Sequence, residues 1–308
     1  MITYLRNNNG LAFSEKWEPK CWINVEEPTS DEKNYLLNTL KIPEAYFNDI
    51  EDIDERPRVE VDEGWYLVLT RIPFKSNDKK LPFSTVPLGL IFKDEVFVSI
   101  CFHKTEMVTD FINYTRRKQI SKQGNFDLAL RLILSSSVWY LKYLKQINQN
   151  IKLAEDKLEK SVRNEDLQTL LQIEKCLVFF TTSLKGNDVI VNRIKNIREL
   201  RETLDQELLE DVDIELKQAL DTTNIHSEIL SGMMDAYASV ISNNISVIMK
   251  QLTSISIILM IPTLIASLYG MNVPNFFQDN PIGFWIILLI SFSVAALTVI
   301  VFINRKWF

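Results

Sequence analysis

The sequence predicts an α+β cytosolic domain, a long helical stalk and a two-helix transmembrane hairpin at the C-terminal end. Three observations predict it. Apolar runs of strand type are confined to the first 125 residues, no proline interrupts the chain between Pro87 and Pro262, and charge nearly vanishes after Lys250. No charged residue lies between Lys250 and Asp279, and none between Asp279 and Arg305. Each gap exceeds the ~20 residues that a helix needs to cross a bilayer. The predicted parts are an α/β domain over 1–125, a stalk over 126–250 and a membrane domain over 251–308. Within the last, spans are expected at about 251–270 and 282–303, joined by an outer loop over 271–281. A pair of buried core helices is the bland alternative.

The elements follow in order. Thr29 and Ser30 supply an N-cap for a short helix over 29–40, and a second is expected over 43–50. Apolar runs at Trp65–Ile72, Val86–Phe92 and Glu95–Phe102 read as strands, the last after a turn at Lys93-Asp94. Lys75–Lys80 reads as an exposed connection. From residue 126 the apolar spacing becomes three and four, as at Leu141, Leu144, Ile147, Ile151 and Leu158, and later at Ile190, Ile194, Ile197, Leu204 and Leu208. Breaks are expected at Asn164, at Gly186-Asn187-Asp188 and near 205–210. The second stays open, since a glycine inside a helix costs only ~1 kcal/mol. The final stalk helix is expected to run ~60 residues, roughly 90 Å, to Gly270. A polar-faced helix of that length is not stable alone, which implies packing against copies of itself.

Composition narrows the function. Residues 251–308 hold one acidic and two basic residues, so the first 250 carry 39 acidic against 32 basic. That sign argues against nucleic acid and is permissive for cations. With eight glycines there is no phosphate-cradling loop, and neither a nucleophile elbow nor an HExxH motif occurs, so no enzyme is expected. His103 and His226 are far apart and read as ordinary histidines. Cys21, Cys101 and Cys176 are widely spaced, which suits a reducing cytosol without disulfides. The opening MITYLRNNNG has no apolar core, so no signal peptide is expected. Lys250 precedes the first span and Arg305-Lys306 follow the second, whereas the loop has no Lys or Arg. Both termini are therefore expected in the cytosol of a multi-pass protein of the cell membrane. Phe276, Phe277, Phe284, Trp285 and Trp307 fit the interfacial belts.

The two spans differ. In the first, Met249, Thr253, Ser256, Met260, Thr263, Ser267 and Gly270 are separated by 4, 3, 4, 3, 4 and 3 residues, forming one stripe of small, hydroxyl-bearing or flexible side chains. Ser291, Ser293 and Thr298 of the second span make no continuous stripe. Such a stripe is either a helix-packing seam or a pore lining that a hydrated cation can pass. The span has no carboxylate, which disfavours a proton relay. Pro262 removes the usual donor to the Ile258 carbonyl.

Tyr269-Gly270-Met271-Asn272 at the end of the first span, the two terminal spans, the Arg305-Lys306-Trp307-Phe308 tail and the acidic cytosolic part together resemble the CorA family of magnesium transport proteins. Trp22–Val25, Asn48-Asp49-Ile50 and Arg56-Pro57-Arg58-Val59-Glu60 look like its N-terminal landmarks in order. The resemblance implies a funnel-shaped homopentameric channel in the lipid bilayer, with first spans around the pore and second spans outside them. It implies a selectivity filter of Gly270, Met271 and Asn272 at the outer mouth, gripping hydrated Mg2+ and passing Co2+ or Ni2+. Mg2+ dehydrates reluctantly, and a ring of neutral amides can hydrogen-bond its waters. Met249 and Leu252 look like the cytosolic gate, with Thr253, Ser256, Met260, Thr263 and Ser267 lining the path between gate and filter. Mg2+ would also regulate, closing the pore when bound at Asp49 and Asp211, and no organic cofactor is implied. Read from the residues alone, Asp211 is a helix N-terminal acid and Asp49 belongs to a solvated cluster. Ser246, Pro262 and Ser267 depart from the family pattern, and Asp279 is the loop's one acid. Zinc transport within the same family is one alternative, and a membrane-anchored scaffold or sensor is another.

Overall fold

The computed structural model describes residues 1–7, 10–76, 78, 81–120, 124–160, 164–197, 204–272, 276, 281–305 and 307. They form two compact units, Met1–Met234 and Asp235–Phe308, divided within one helix.

The first unit is built on a mixed seven-stranded sheet. Its strands are β1 (Ile2–Asn7), β2 (Leu11–Ser14), β3 (Trp22–Glu26), β4 (Arg58–Asp62), β5 (Trp65–Lys75), β6 (Phe83–Lys93) and β7 (Val96–Cys101). They lie in the order β2-β1-β3-β7-β6-β5-β4. Among the described residues only the β3–β7 pair is parallel. β5 and β6 are buried along most of their length because both faces of the sheet are covered, which is why they read as continuous apolar runs rather than alternating ones. On one face Leu36, Tyr46, Phe47 and Ile50 pack against Leu67, Leu69, Ile91 and Val98. The other face carries the long helices.

α1 (Ser30–Asn34) opens with the expected cap: Glu32 N–H donates to Thr29 Oγ1, and Thr29 N–H donates back to the Glu32 carboxylate at 2.9 Å. It continues as a π-helical stretch over Tyr35–Thr39, and α2 covers Glu44–Glu51. Gly89 of β6 seats α2. A Cβ there would lie 2.0 Å from Ile50 Cδ1, so only glycine lets Ile50, and with it the helix end bearing Asp49, reach the sheet.

α3 (Glu106–Lys118), α4 (Asn125–Lys160) and α5 (Asn164–Lys195) precede the longest helix, α6 (Gln206–Tyr269). The break expected at Gly186-Asn187-Asp188 does not occur, because α5 runs through it. Tertiary packing overrides the local signal. A Cβ on Gly186 would stand 2.5 Å from Pro57 Cγ, so this glycine permits close approach rather than a turn. Asn187 is fully buried; its carbonyl accepts from Thr70 Oγ1 at 2.8 Å and Arg71 N–H at 3.0 Å, and its amide donates to Arg71 O at 2.8 Å. The break at Asn164 is the start of α5, and α6 begins at Gln206; residues 161–163 and 198–203 lie outside the described residues. Lys195 of α5 and Lys217 of α6 both pair with Asp213, at 2.9 and 2.7 Å.

In the second unit the end of α6 is joined by α7 (Gly283–Asn304). Both helices are long and apolar enough to cross a membrane, and only 6% of either apolar window is buried within the protein. That exposure sets aside the core-helix reading. The two helices run antiparallel: the Lys250 ammonium sits 5.7 Å from the Trp307 ring at one end, and Gly270 and Gly283 line a shared cavity at the other.

Candidate ion pathway and regulatory acids

The stripe on α6 faces away from the helix that packs on it. The covered side of α6 in this unit comprises buried Ser254 and half-buried Ile257, Ile258, Ile261, Pro262 and Ile265. At 3.6 residues per turn that side is nearly opposite Met249, Thr253, Ser256, Met260, Thr263 and Ser267, all of which are exposed. Leu252 flanks the stripe and is 57% exposed. The hydroxyls share one geometry: Thr253 Oγ1, Ser256 Oγ and Thr263 Oγ1 donate to the carbonyls of Met249, Leu252 and Leu259 at 2.8, 2.9 and 2.9 Å. Their only proton is thereby committed to the helix, and the outward oxygen is left as an acceptor.

α6 ends at Tyr269, where the Gly270 N–H donates to Ala266 O at 2.9 Å. Gly270 is not among the glycines with positive φ, and a Cβ there would meet its nearest neighbour, Ala266 O, at an ordinary 3.4 Å. Among the described residues nothing requires this glycine. Met271 and Asn272 are exposed beyond the helix end. Asp279 and most of the loop to 281 lie outside the described residues.

Asp49 sits in the last turn of α2, with its side chain 30% exposed, and its Oδ2 accepts from Arg58 Nη2 at 2.6 Å. Arg58 also pairs with Glu55, and with Glu60 at 3.1 Å. Burial, helped by Glu55 and Glu60, pushes the Asp49 carboxyl above its ordinary range, and Arg58 pulls it back only in part. Asp211 is exposed on α6 and lines a cavity of about 510 Å3 with Asp110, Arg131, Trp139, Asp205 and Glu207. The reading of Asp211 as a helix N-terminal acid is corrected here. Asp205 caps α6, accepting from the Glu207 and Leu208 N–H groups at 3.0 and 3.3 Å, and Glu207 is the first-turn acid. The dipole fades within one turn, so it gives Asp211 in the second little support. Asp49 and Asp211 thus occupy separate surroundings in one chain. No cluster of three or more His, Cys, Asp or Glu placed to hold a metal is found among the described residues. Mg2+ is commonly held by one or two carboxylates and several waters.

Three features escaped the sequence reading. Arg58 was legible only as part of a landmark, although an arginine among Glu55, Glu60 and Asp49 is a charge-pairing signal. Gly89 is invisible until Ile50 is seen against it. On α7, Gly283, Ser291 and Ala295 form the buried seam, at spacings of eight and four residues that a search for hydroxyls alone passes over.

Residues 18–306 match the family described as CorA-like Mg2+ transporter protein. The cobalt/magnesium transport protein CorA of Methanocaldococcus jannaschii is 26% identical over 291 residues, covering 93% of this chain and 90% of that protein. The protein of the same name from Thermotoga maritima is 27% identical over 311 residues, covering 96% and 86%. The complete structure of the CorA magnesium transporter from M. jannaschii superposes with a TM-score of 0.86 at 24% identity, over 100% of this chain and 99% of that one, a likeness of fold. The match runs through the sheet, the long helices and both apolar helices alike, and the chain belongs to the CorA-like Mg2+ transporter family of membrane proteins.

Proposed function

We propose that this chain is one subunit of a homopentameric, passive Mg2+ channel that also carries Co2+ and Ni2+, with the α6 stripe as its pore lining. The carrying observation is the exposed row of acceptor oxygens on α6, turned away from α7. A hydrated cation points its water protons outward. Hydroxyl oxygens with their protons already committed, together with the thioethers of Met249 and Met260, accept from that shell without stripping it. A packing seam against α7 explains the stripe less well, since α7 is met by another face.

In this reading Gly270, Met271 and Asn272 form the outer filter. Five Asn272 amides grip the waters of one ion, and Gly270 allows the copies to approach closely, a need that the described residues of the single chain do not supply. The residues over 251–308 conduct, with both termini in the cytosol. Met249 and Leu252 gate the inner end, and parts 1–125 and 126–250 sense Mg2+ through Asp49 and Asp211. A negative interior of 100 mV then drives a divalent ion inward by roughly 4.6 kcal/mol. Both sequence relatives are named for cobalt and magnesium, which favours these ions over zinc.

Asn272→Ala tests the reading in reconstituted vesicles with an entrapped Mg2+ indicator. Uptake is expected to fall at least about tenfold, the loss of one set of water contacts at 1.4 kcal/mol per decade, while cross-linking still yields the wild-type oligomer. Wild-type uptake would contradict the filter.

A further inference from the structure

We propose that Arg58 is the resident counter-ion of Asp49 and sets the Mg2+ concentration at which the regulatory site fills. The inference rests on the reading of Asp49 as a sensing acid and adds the group that competes for it. Asp49 lies in the last turn of α2, where the helix dipole presents its negative end, so its carboxylate draws a cation to that position. Arg58, at the start of β4, the element that follows α2, is that cation in this chain, with Nη2 2.6 Å from Asp49 Oδ2.

What makes Arg58 a competitor rather than a fixed strut is its surplus of partners. Its planar fork reaches three carboxylates: Asp49 through Nη2, Glu55 through Nη1 and Glu60 through Nε. The segment bearing Glu55 is itself anchored, because buried Arg71 donates to Ile53 O at 2.7 Å and to Glu55 O at 3.0 Å. When Asp49 turns to a divalent ion, Arg58 keeps Glu55 and Glu60 and is not stranded. The exchange therefore replaces one of three ion pairs and needs no refolding of the loop. Since the pair is about one-third exposed, it is weak enough for a divalent ion to displace and strong enough to shift the midpoint.

The test uses the full-length protein and reads the Mg2+ concentration giving half-maximal protection from limited proteolysis, at constant ionic strength. Arg58→Gln is expected to lower that midpoint about three- to fivefold, the range of one partly exposed ion pair. Arg58→Lys keeps the charge and loses the fork, and is expected to lower it by about half as much on a logarithmic scale. A midpoint unchanged or raised in Arg58→Gln overturns the proposal. So does a wild-type midpoint in Arg58→Lys, which would assign any Gln effect to the general field of the charge. Arg58→Lys also stands alone if Arg58→Gln does not fold. Asp49→Asn run alongside separates the two levels: wild-type protection there removes the sensing role of Asp49, whereas lost protection with an unmoved Arg58→Gln midpoint removes Arg58 alone.

Discussion

Gly186 shows how a single residue can invert its usual meaning. In an exposed helix, replacing glycine by alanine gains ~1 kcal/mol of helix propensity. Here the added methyl would sit 2.5 Å from Pro57 Cγ and 3.0 Å from Pro57 Cβ and Cδ, atoms of a rigid ring. Overpacking of that kind costs about 1–3 kcal/mol and outweighs the propensity gain. Gly186→Ala is expected to lower the melting temperature by a few degrees in thermal unfolding; a rise would show that the helix and Pro57 move apart freely. This residue was illegible in the sequence because its cause is a contact with a distant proline. The dipeptide Gly186-Asn187 carries the local signature of a turn, and only Thr70, Arg71 and Pro57 convert it into helix interior. The role proposed for Asn272 rests on the opposite kind of signal. Its meaning depends on its place at the end of an apolar span, and that place is a property of the sequence.

At the level of elements, the helices α5 and α6 are joined by Asp213, which takes Lys195 from one helix and Lys217 from the other. Hydrogen bonds from Lys217 and Lys195 hold its carboxyl below the ordinary carboxylate range. A carboxyl depressed in the folded state stabilises fully above its unfolded value of ~3.9, and the contribution disappears as pH falls through the folded value. Because the group is near the surface, the effect is about 0.5 kcal/mol after screening. Asp213→Asn is expected to lower the unfolding free energy from denaturant titration at pH 7 by that amount, with the difference between wild type and variant shrinking as pH falls through the folded value. Equal unfolding free energies at pH 7 would show the clamp contributes nothing.

Elements also differed in legibility for physical reasons. β5, β6 and β7 announced themselves because burial on both faces demands unbroken apolar runs. β1, β2, β3 and β4 were missed as strands: β1, β2 and β4 lie at or near the sheet edges, where half-exposed positions admit polar residues such as those of Thr3–Asn7 and Arg58–Asp62, and the buried β3 is a five-residue run interrupted by the polar Asn24. The N-cap of α1 and the uninterrupted course of α6 through Lys250 were readable from a few residues each. The seam on α7 was not, because glycine and alanine carry no pattern until a partner helix covers them.

At the scale of the whole molecule, conduction depends on one asymmetry: α6 buries one side against α7 and turns a row of acceptors outward. That row faces water if the copies enclose a pore, and lipid or protein if α6 is an anchor. Single cysteines at Thr253, Ser256, Met260 and Thr263 can be compared with cysteines at Ser254, Ile258 and Ile261 in reconstituted vesicles. Native Cys21, Cys101 and Cys176 are buried and give a low background. The direct measurement is the rate at which a charged, water-soluble thiol reagent modifies each position, with Mg2+ uptake recorded before and after. A water-filled lining predicts modification at the first four positions at least about tenfold faster than at the other three, with uptake falling as they react. Equal rates on both sides of α6, or modification of the stripe that leaves uptake intact, would contradict the pore.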